Sequence, residues 1–187
     1  MKKLLLIMGD LATGKSAFSD ILSKRYDVTV FKKDSIKEVL GDTIGFSNRE
    51  ENLKLSAVTM ELMLLIFSEF TKLKKDLILE SNFSKADLEK LYKAAAANDY
   101  EVLVLMLRGD IAVLHKRYLN RMYNENRHPV HLSAALDIFD NFQKYIESAR
   151  KEEITGNVIQ IDANDFSYQT DQELLKKTDE FMRREIL

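Results

Sequence analysis

The segment that most constrains this chain begins directly after its first apolar run, residues 4–8. It matches the pattern GxxxxGK(S/T) in full and reads Gly9-Asp10-Leu11-Ala12-Thr13-Gly14-Lys15-Ser16. Glycines allow a backbone to curl around a polyphosphate with its amide N–H groups pointing inward, and a helix N-terminus behind such a loop favours anions. The sequence therefore predicts a buried strand, a phosphate-binding loop and a helix that opens at the end of that loop.

Two side chains of this loop are predicted to act directly on a nucleotide. Lys15 is placed to bridge the β- and γ-phosphates, and the Ser16 hydroxyl is placed to hold Mg²⁺. The whole loop, residues 9–16, is expected to contact the nucleotide. The competing interpretation is an ordinary glycine-containing turn between a strand and a helix, in which Lys15 is merely solvated.

Strands alternate with helices along the rest of the chain, without a linker or an internal repeat. Short apolar segments predict five strands, at residues 4–8, 28–31, 77–80, 100–107 and 158–161. Helical patterns fall between and after them, at about residues 14–25, 47–74, 84–97, 111–125 and 133–150 and after residue 170. This alternation implies βαβ units and right-handed crossovers. The predicted fold is α/β and doubly wound, one domain over residues 1–187, with a mostly parallel five-stranded sheet and helices on both faces.

Cap signals mark the starts of four of these helices, two of them at Ser84 with Asp87 and at Asp110. Ser47 with Glu50 predicts a capping box at the start of the long helix, and Thr170 with Glu173 predicts the start of the closing helix. The long helix should bury one face, because apolar residues recur at helical spacing at Leu53, Ala57, Met60, Leu64 and Phe67. Four neighbouring residues either line a substrate pocket or, as we favour, form core: Met60, Met63, Phe67 and Phe70.

Composition excludes several classes of protein. The 28 Lys+Arg and 30 Asp+Glu residues give a net charge of −2, which argues against a domain that coats nucleic acid. With no cysteine, disulfide scaffolds and thiolate sites are excluded. The longest apolar runs, residues 4–8 and 102–107, are far shorter than the roughly 18 residues of a membrane span. The first eight residues lack the features of a signal peptide and predict a strand. We expect a cytoplasmic monomer or homodimer with no membrane contact.

The loop and the order of the elements resemble the small P-loop kinases and phosphotransferases. These include polynucleotide kinase domains, chloramphenicol phosphotransferase, zeta-toxin-like AAA domains, and gluconate and shikimate kinases. The resemblance covers essentially the whole chain. It implies a nucleoside-monophosphate-kinase-like fold with a small lid, ATP and Mg²⁺ as cofactors, and transfer of the γ-phosphoryl group to a hydroxyl. Neither the NKxD motif of GTPases nor the GxGxxG spacing of dinucleotide folds is present.

A second candidate site follows the predicted second strand. Asp34 lies just past this strand, at the carboxyl edge where α/β sheets bind ligands. In the resembling kinases a carboxylate here, often within D-x-x-R, contacts the acceptor hydroxyl. This chain has Lys37 in place of the arginine, so an anionic acceptor group is met by a point charge without the bidentate fork. The alternative is that Asp34 N-caps a short helix beginning near Ser35.

The third predicted strand ends in Glu80, and an apolar run that ends in a carboxylate resembles a Walker B element. Such an acid orients Mg²⁺ or its waters, although the strict pattern has aspartate at this position. Glu80 is therefore a candidate metal residue together with Ser16. The alternative is an acid that simply terminates a strand.

A lid is predicted over about residues 117–132. Arg117 and Arg121 are four residues apart and share a helix face. In the resembling enzymes the first arginine of such a pair lies near adenine and the second reaches the phosphates, while Arg127 resembles an arginine finger. The alternative is a solvated basic face near a helix C-terminus. His128 and His131 lack a third ligand for zinc and are expected to line the acceptor pocket or the surface.

The favoured function is an ATP-dependent kinase that acts on an alcohol group. Its acceptor is a small molecule or a nucleotide, bound beside the helical segment of residues 35–75. A nucleic-acid end remains an alternative acceptor, although the net charge does not indicate one. The rival function is a nucleotide-binding ATPase or switch protein without a dedicated acceptor, which needs neither Asp34 nor the lid arginines.

Overall fold

The computed structural model describes residues 1–125, 127–131 and 135–182. It contains five strands: β1 (Lys2–Gly9), β2 (Val30–Lys32), β3 (Leu77–Glu80), β4 (Tyr100–Arg108) and β5 (Val158–Asp162). The described helices are α1 (Lys15–Tyr26), α2 (Lys33–Ile44), α3 (Arg49–Leu73), α4 (Lys85–Ala97), α5 (Ile111–Asn124), α6 (Phe139–Arg150) and α7 (Gln172–Met182). Residues 126 and 132 of the predicted lid, and residues 133 and 134 of the helix predicted after it, lie outside the described residues.

The five strands form one sheet in the order β2-β3-β1-β4-β5. Each described pair is parallel, with Leu4 opposite Leu77 on one side and opposite Val102 on the other. β1 is therefore the central strand, which explains why its middle carries an unbroken apolar run: both of its edges and both of its faces are covered. The predicted α/β doubly wound fold is confirmed, and the sheet is parallel throughout its described part.

Alternate residues of the strands feed two separate cores. On one face, Leu4 and Leu6 of β1 pack with residues of α3 and α4. On the other face, Leu5 and Ile7 pack with residues of α1 and α7. Because side chains of a strand alternate between faces, this central strand holds both helical layers at once.

A third, smaller cluster joins α5 and α6 to the phosphate loop. Its buried members are Ala12, Leu114, Tyr118, Phe142 and Ile146. The phosphate loop is therefore supported by packed apolar side chains of α5 and α6. This contact fixes the position of α5 and α6 relative to the end of β1.

α3 begins and packs differently from the prediction. Its N-cap is Asn48, whose side chain accepts from Glu51 N at 3.0 Å, while Glu51 accepts from Ser47 N at 2.6 Å. The N-cap thus lies one residue beyond the predicted one, and the predicted Ser47–Glu50 capping box is not formed.

The buried face of α3 is also rotated from the predicted one. Leu53 and Ala57 are exposed, whereas Leu55, Thr59 and Met63 are buried. A threonine fits this face because its hydroxyl can hydrogen-bond to the helix backbone, and the Thr59 hydroxyl donates to Leu55 O at 2.7 Å. Four residues weighed as pocket lining instead belong to the core or pack against it: Met60, Met63, Phe67 and Phe70. Although α3 has 25 residues, no described helix is long and apolar enough to cross a membrane.

Two further predicted starts are wrong. In the described part of the chain α6 begins at Phe139, since residues 135–138 form a turn and bends. The closing helix is capped by Asp171 and not by Thr170, because the Asp171 carboxylate accepts from Glu173 N at 2.8 Å and from Leu174 N at 3.0 Å. A carboxylate at this position also interacts favourably with the helix dipole.

Candidate active site

A large cleft of about 1310 Å³ opens at the carboxyl edge of the sheet. Its lining includes residues 11–16 of the phosphate loop, the starts of α2 and α3, the end of β3 and one face of α5. Gly9 and Asp10 instead line a smaller cavity of about 70 Å³ behind the loop. The cleft therefore lies where a parallel α/β sheet binds its ligands, and the loop separates it from the cavity behind.

The curvature of the loop depends on its two glycines. Gly9 has φ 134°, and a Cβ there would lie 2.0 Å from Leu107 O. Gly14 has φ 88°, and a Cβ there would lie 2.7 Å from the Tyr168 hydroxyl. That hydroxyl donates to Thr13 O at 2.7 Å. Both positions thus exclude a side chain, and Tyr168 ties the loop to the segment that follows β5.

Lys15 is the first residue of α1, and its side chain lies over the phosphate loop. Its Nζ donates to Asp10 O at 2.6 Å and to Gly9 O at 3.2 Å. Burial lowers the pKa of Lys15, and the negative charges of Glu80 and Asp34 oppose this shift. The ammonium is therefore partly desolvated between two carboxylates, which strengthens its interaction with an incoming phosphate group.

Ser16 and Glu80 form a pair beside Lys15. The Ser16 hydroxyl donates to Glu80 Oε2 at 2.9 Å, and Glu80 is 4% exposed. Burial raises the pKa of Glu80, while Lys15 and the hydrogen bond from Ser16 oppose this rise. An adjacent hydroxyl and carboxylate offer the oxygen donors that Mg²⁺ prefers, so these residues fit the metal that the phosphate loop implies.

Asp34 lies in the first turn of α2 and faces the cleft. The predicted alternative, a helix N-cap, is wrong: the N-cap is Lys32, and α2 has no capping side-chain hydrogen bond. The Asp34 charge raises the pKa of both Lys15 and Glu80, which shows that it lies within electrostatic reach of the loop. Its carboxylate is 57% exposed and stands 3.9 Å from His131 Nδ1.

Two lysines of α2 flank Asp34 in the cleft. Burial lowers the pKa of both Lys33 and Lys37. Lys37 Nζ also donates to Val130 O at 3.3 Å, so it links α2 to the segment between α5 and α6. Lys37 thus lies in the cleft one helical turn beyond Asp34, as the sequence spacing predicts.

Arg117 and Phe166 together form a flat surface at the far end of the loop. The Arg117 guanidinium donates to Ala163 O at 2.7 Å and to Asn164 O at 2.5 Å. It lies 4.3 Å from the centroid of the Phe166 ring. Phe166 is 50% exposed and lines the cleft, so a ring system can stack there. Phe166 was not among the site residues predicted from the sequence.

Arg121 and Arg127 lie in the cleft between this surface and Asp34. Arg121 Nε is 3.6 Å from Glu125 Oε2, and its charge lowers the pKa of both Lys15 and Arg127. Burial is the first cause of the lowered pKa of Arg127. Among the described residues, Arg127 Nε is buried and has no hydrogen-bond partner. The cations therefore converge on one region of the cleft.

The segment before α6 is docked on α2. His131 Nε2 lies 2.8 Å from Glu38 Oε1, and His128 Nε2 lies 3.0 Å from Asp42 Oδ1. Asn52 of α3 adds a hydrogen bond to Val130 O at 3.0 Å. His131 lines the cleft, as expected. A ring nitrogen of each histidine lies within hydrogen-bond distance of a carboxylate on α2.

One contact at this site had no signal in the sequence. Arg150, at the end of α6, forms an ion pair with the buried Asp10 carboxylate at 2.5 Å. The two residues are 140 positions apart and belong to no local pattern. Asp10 was expected to contact the nucleotide, but its side chain points to Arg150 and Gly109 behind the loop.

Solved structures share this fold over nearly their whole length. A proposed kinase from Chloroflexus aurantiacus j-10-fl has a TM-score of 0.81 and 23% identity, with 98% of this chain and 99% of that chain covered. A gluconokinase from Sinorhizobium meliloti 1021 has a TM-score of 0.61 and 12% identity, with 96% and 91% covered. A shikimate kinase from Bacteroides thetaiotaomicron has a TM-score of 0.60 and 12% identity, with 96% and 97% covered. At these identities the likeness establishes the fold alone.

Sequence comparison adds the family. No curated protein sequence matches this chain. Residues 1–173, most of the chain, match the sequence profile of the Zeta toxin family. The predicted resemblance to small P-loop kinases is thus confirmed, and the chain belongs to the Zeta toxin family.

Proposed function

We propose that this protein is an ATP-dependent phosphotransferase that moves the γ-phosphoryl group of ATP to a hydroxyl of a small molecule or nucleotide. One observation carries the proposal. A single cleft brings together Lys15, the Ser16–Glu80 pair and Asp34. These supply a phosphate cradle, a metal site and a carboxylate for the attacking hydroxyl, and such a reaction depends mainly on positioning and charge stabilisation.

Asp34 acts as the general base in this proposal. The acceptor oxygen forms a bond to the γ-phosphorus while the bond from that phosphorus to the bridging oxygen of ADP breaks. The acceptor hydroxyl gives its proton to the Asp34 carboxylate, which is exposed enough to receive it. ADP leaves with its charge met by Lys15, whose ammonium bonds two loop carbonyl oxygens in the described structure.

Ser16 and Glu80 are the residues that would hold Mg²⁺, directly or through its waters. When bound, Mg²⁺ supplies charge neutralisation at the β- and γ-phosphate oxygens. The Glu80 carboxylate orients the Ser16 hydroxyl by accepting its hydrogen bond at 2.9 Å. Ionised Glu80 also raises the pKa of Lys15 and so opposes the effect of burial.

We expect Glu80→Gln to keep the fold and to lower Mg²⁺ affinity or turnover by about 10–100-fold, the usual effect of losing a residue that orients metal ligands. Because the folded protein raises the pKa of Glu80, ionised Glu80 costs stability at neutral pH, and this cost shrinks as pH falls below the raised pKa and is gone below the ordinary pKa of the carboxyl. The Gln variant should therefore match or exceed the wild-type melting temperature at pH 7, and this advantage should shrink towards acid pH.

The measurement is thermal unfolding between pH 4 and pH 8 beside a Mg²⁺ titration of activity. Glu101→Gln is the control, because Glu101 is a partly exposed carboxylate that pairs with Lys3 on β1, away from the cleft. A Glu80 variant with wild-type Mg²⁺ dependence would remove Glu80 from the metal site.

Arg121 and Arg127 are proposed to stabilise the γ-phosphoryl group as it transfers. Both line the cleft, and the unpartnered Nε of Arg127 is a donor without a function in the described structure. We expect Arg121→Ala and Arg127→Ala each to lower kcat at least about tenfold, since a hydrogen bond to a charged group contributes about 1.5–3 kcal/mol. ATP affinity should change less, because the interaction forms chiefly in the transition state.

Arg117→Ala is the matched contrast on α5, the helix that carries Arg121. Arg117 lies against Phe166, so its loss should raise the KM for ATP more than it lowers kcat. If the Arg121 and Arg127 variants turn over normally, these arginines form a solvated basic face and the lid assignment is wrong.

The acceptor side of the cleft favours an anionic acceptor. Among the described lining residues, lysines and arginines outnumber carboxylates, and three cations lie on the acceptor side: Lys33, Lys37 and Arg49. The first two are partly desolvated, as their lowered pKa values indicate. We therefore propose that residues 35–75 bind an acceptor that carries a phosphate or carboxylate group beside its hydroxyl.

A screen for acceptor-dependent ADP release tests the function. The panel contains nucleosides, nucleotides, sugars, sugar phosphates, aminoglycosides and other antibiotics, and 5′-hydroxyl oligonucleotides. Anionic members should stimulate ADP release more than their neutral counterparts, as glucose 6-phosphate against glucose. An ATPase rate that no member raises would favour a nucleotide-dependent switch over a phosphotransferase.

A further inference from the structure

The phosphate loop is held from behind by an ion pair with α6. The Asp10 carboxylate accepts from Arg150 Nη2 at 2.5 Å and from Arg150 Nε at 3.3 Å, which is a bidentate fork. It also accepts from Gly109 N at 3.3 Å. The Asp10 side chain is 4% exposed, so the carboxylate of this pair lies out of water, while the Arg150 side chain is 29% exposed.

Asp10 is also a junction within the loop itself. Its N–H donates to Leu107 O at 2.9 Å, and its carbonyl accepts from Thr13 Oγ1 at 2.9 Å and from Lys15 Nζ at 2.6 Å. A displacement of Asp10 therefore moves an acceptor of Lys15, the lysine proposed to bind the phosphates. The Asp10 backbone and side chain together determine the curvature of the loop.

A second contact from α6 acts on the opposite side of the loop. Ala12 has φ 60°, a left-handed conformation that a non-glycine residue keeps only where its surroundings hold it. Ala12 belongs to a buried cluster that includes Phe142 and Ile146 of α6. The same helix thus holds the loop by an ionic contact at Asp10 and by an apolar contact at Ala12.

α6 also reaches the acceptor side of the cleft. Tyr145 lines the cleft, and the helix follows the segment that carries Arg127 and His131. One helix of 12 residues therefore contacts both the phosphate loop and the region of the lid. Because a packed helix moves as a rigid unit, a change at either end is transmitted to the other.

We propose that Arg150 is a positioning residue for ATP binding, which holds the phosphate loop in its binding curvature through Asp10 and links it to α6. This inference rests on the proposed function, since ATP is the ligand whose affinity it sets. Arg150 does not touch the cleft and acts through Asp10. The loss of its side chain should weaken ATP binding from a distance.

The test compares ATP affinity, measured by isothermal titration calorimetry with Mg²⁺, and melting temperature across a set of variants. Arg150→Ala should weaken ATP binding at least tenfold and lower the melting temperature, because it leaves the Asp10 carboxylate buried and unpaired. Arg150→Lys keeps the charge without the fork and should bind ATP with intermediate affinity.

The double variant Asp10→Ala/Arg150→Ala separates positioning from charge balance. Removal of both partners eliminates the unpaired charge, so the melting temperature should recover most of the loss. ATP affinity should stay at least tenfold below wild type, because no side chain then ties residue 10 to α6. If Arg150→Ala fails to fold, the double variant and Arg150→Lys still test the proposal.

Arg25→Ala is the matched control, since Arg25 makes a bidentate pair with Asp179 at 2.7 and 2.6 Å at the far end of α1. It should bind ATP as wild type does. Two results would overturn the inference: an Arg150→Ala variant that binds ATP within threefold of wild type, or a double variant that regains ATP affinity together with its melting temperature. Wild-type protein that fails to bind ATP would overturn the proposed function and this inference with it.

Discussion

Lys15→Ala should abolish most ATP binding and turnover while the protein stays folded. The Lys15 ammonium lies at the loop, bonded to two of its carbonyl oxygens and partly desolvated by burial. Removal of a preorganised donor to a transferring phosphoryl group costs on the order of 10²–10³-fold in rate. The fold should survive, because the side chain contributes no apolar packing to the three cores.

The measurement is ATP affinity by calorimetry and the rate of ADP release, with the melting temperature as the check on folding. Lys177→Ala is the control for loss of a lysine charge, because Lys177 pairs with Glu173 on the exposed face of α7. A folded Lys15→Ala protein with wild-type affinity and rate would refute the assignment of residues 9–16 as a nucleotide-binding loop.

Asp34→Asn should reduce phosphoryl transfer by at least about a hundredfold while ATP affinity stays nearly unchanged. General-base positioning contributes typically 10²–10⁴-fold, and a carboxamide cannot take the hydroxyl proton. Asp34 makes no capping hydrogen bond in α2 and is 57% exposed, so the substitution should barely affect folding. The expected signature is a lower kcat at constant ATP affinity and constant melting temperature.

Asp42→Asn provides the matched control for this experiment. Asp42 lies on the same helix two turns later and pairs with His128, but it does not line the cleft. Transfer is measured with the acceptor that the ADP-release screen identifies. Should both variants lose activity equally, the effect would belong to docking of the segment before α6 on α2, and Asp34 would not be the base. An Asp34→Asn variant that transfers the phosphoryl group at a rate within a few-fold of wild type would likewise show that Asp34 is not the base.

The sheet and the phosphate loop could be predicted because their signals are local. Each described strand is an apolar run of a few residues, and the eight-residue loop motif follows one of them directly. Glu80 and Asp34 could be placed at the cleft for a related reason: each directly follows or ends a parallel strand, and the carboxyl ends of such strands lie at one edge. Local pattern and topology together were therefore sufficient for these residues.

The starts and faces of helices were harder to predict because neighbouring residues compete. Asn48 and Asp171 cap their helices where Ser47 and Thr170 were also suitable, and only the path of the entering chain decides between them. The buried face of α3 was not predicted because it includes Thr59, whose hydroxyl donates its hydrogen bond to the helix backbone. The low hydrophobicity of such a polar residue gives no sign that it belongs to the core.

Long-range ion pairs could not be predicted at all. Nothing near Arg150 in the sequence indicates Asp10, since the contact depends on where α6 ends relative to β1. The docking of His131 and His128 on α2 depends likewise on the register of the segment before α6. The supporting residues of the site, unlike its phosphate loop, become visible only once the tertiary structure is known.

The central position of β1 determines the order in which the nucleotide site can assemble. β1 precedes both of its partners in the chain, since β3 and β4 begin about 75 and 100 residues later. Loop closure over such separations is slow compared with helix formation. The apolar strand therefore stays unpaired until these segments form, and the phosphate loop is completed only when β4 supplies Leu107 O, which accepts from Asp10 N. Until β4 docks, we expect the unpaired apolar strand to favour aggregation.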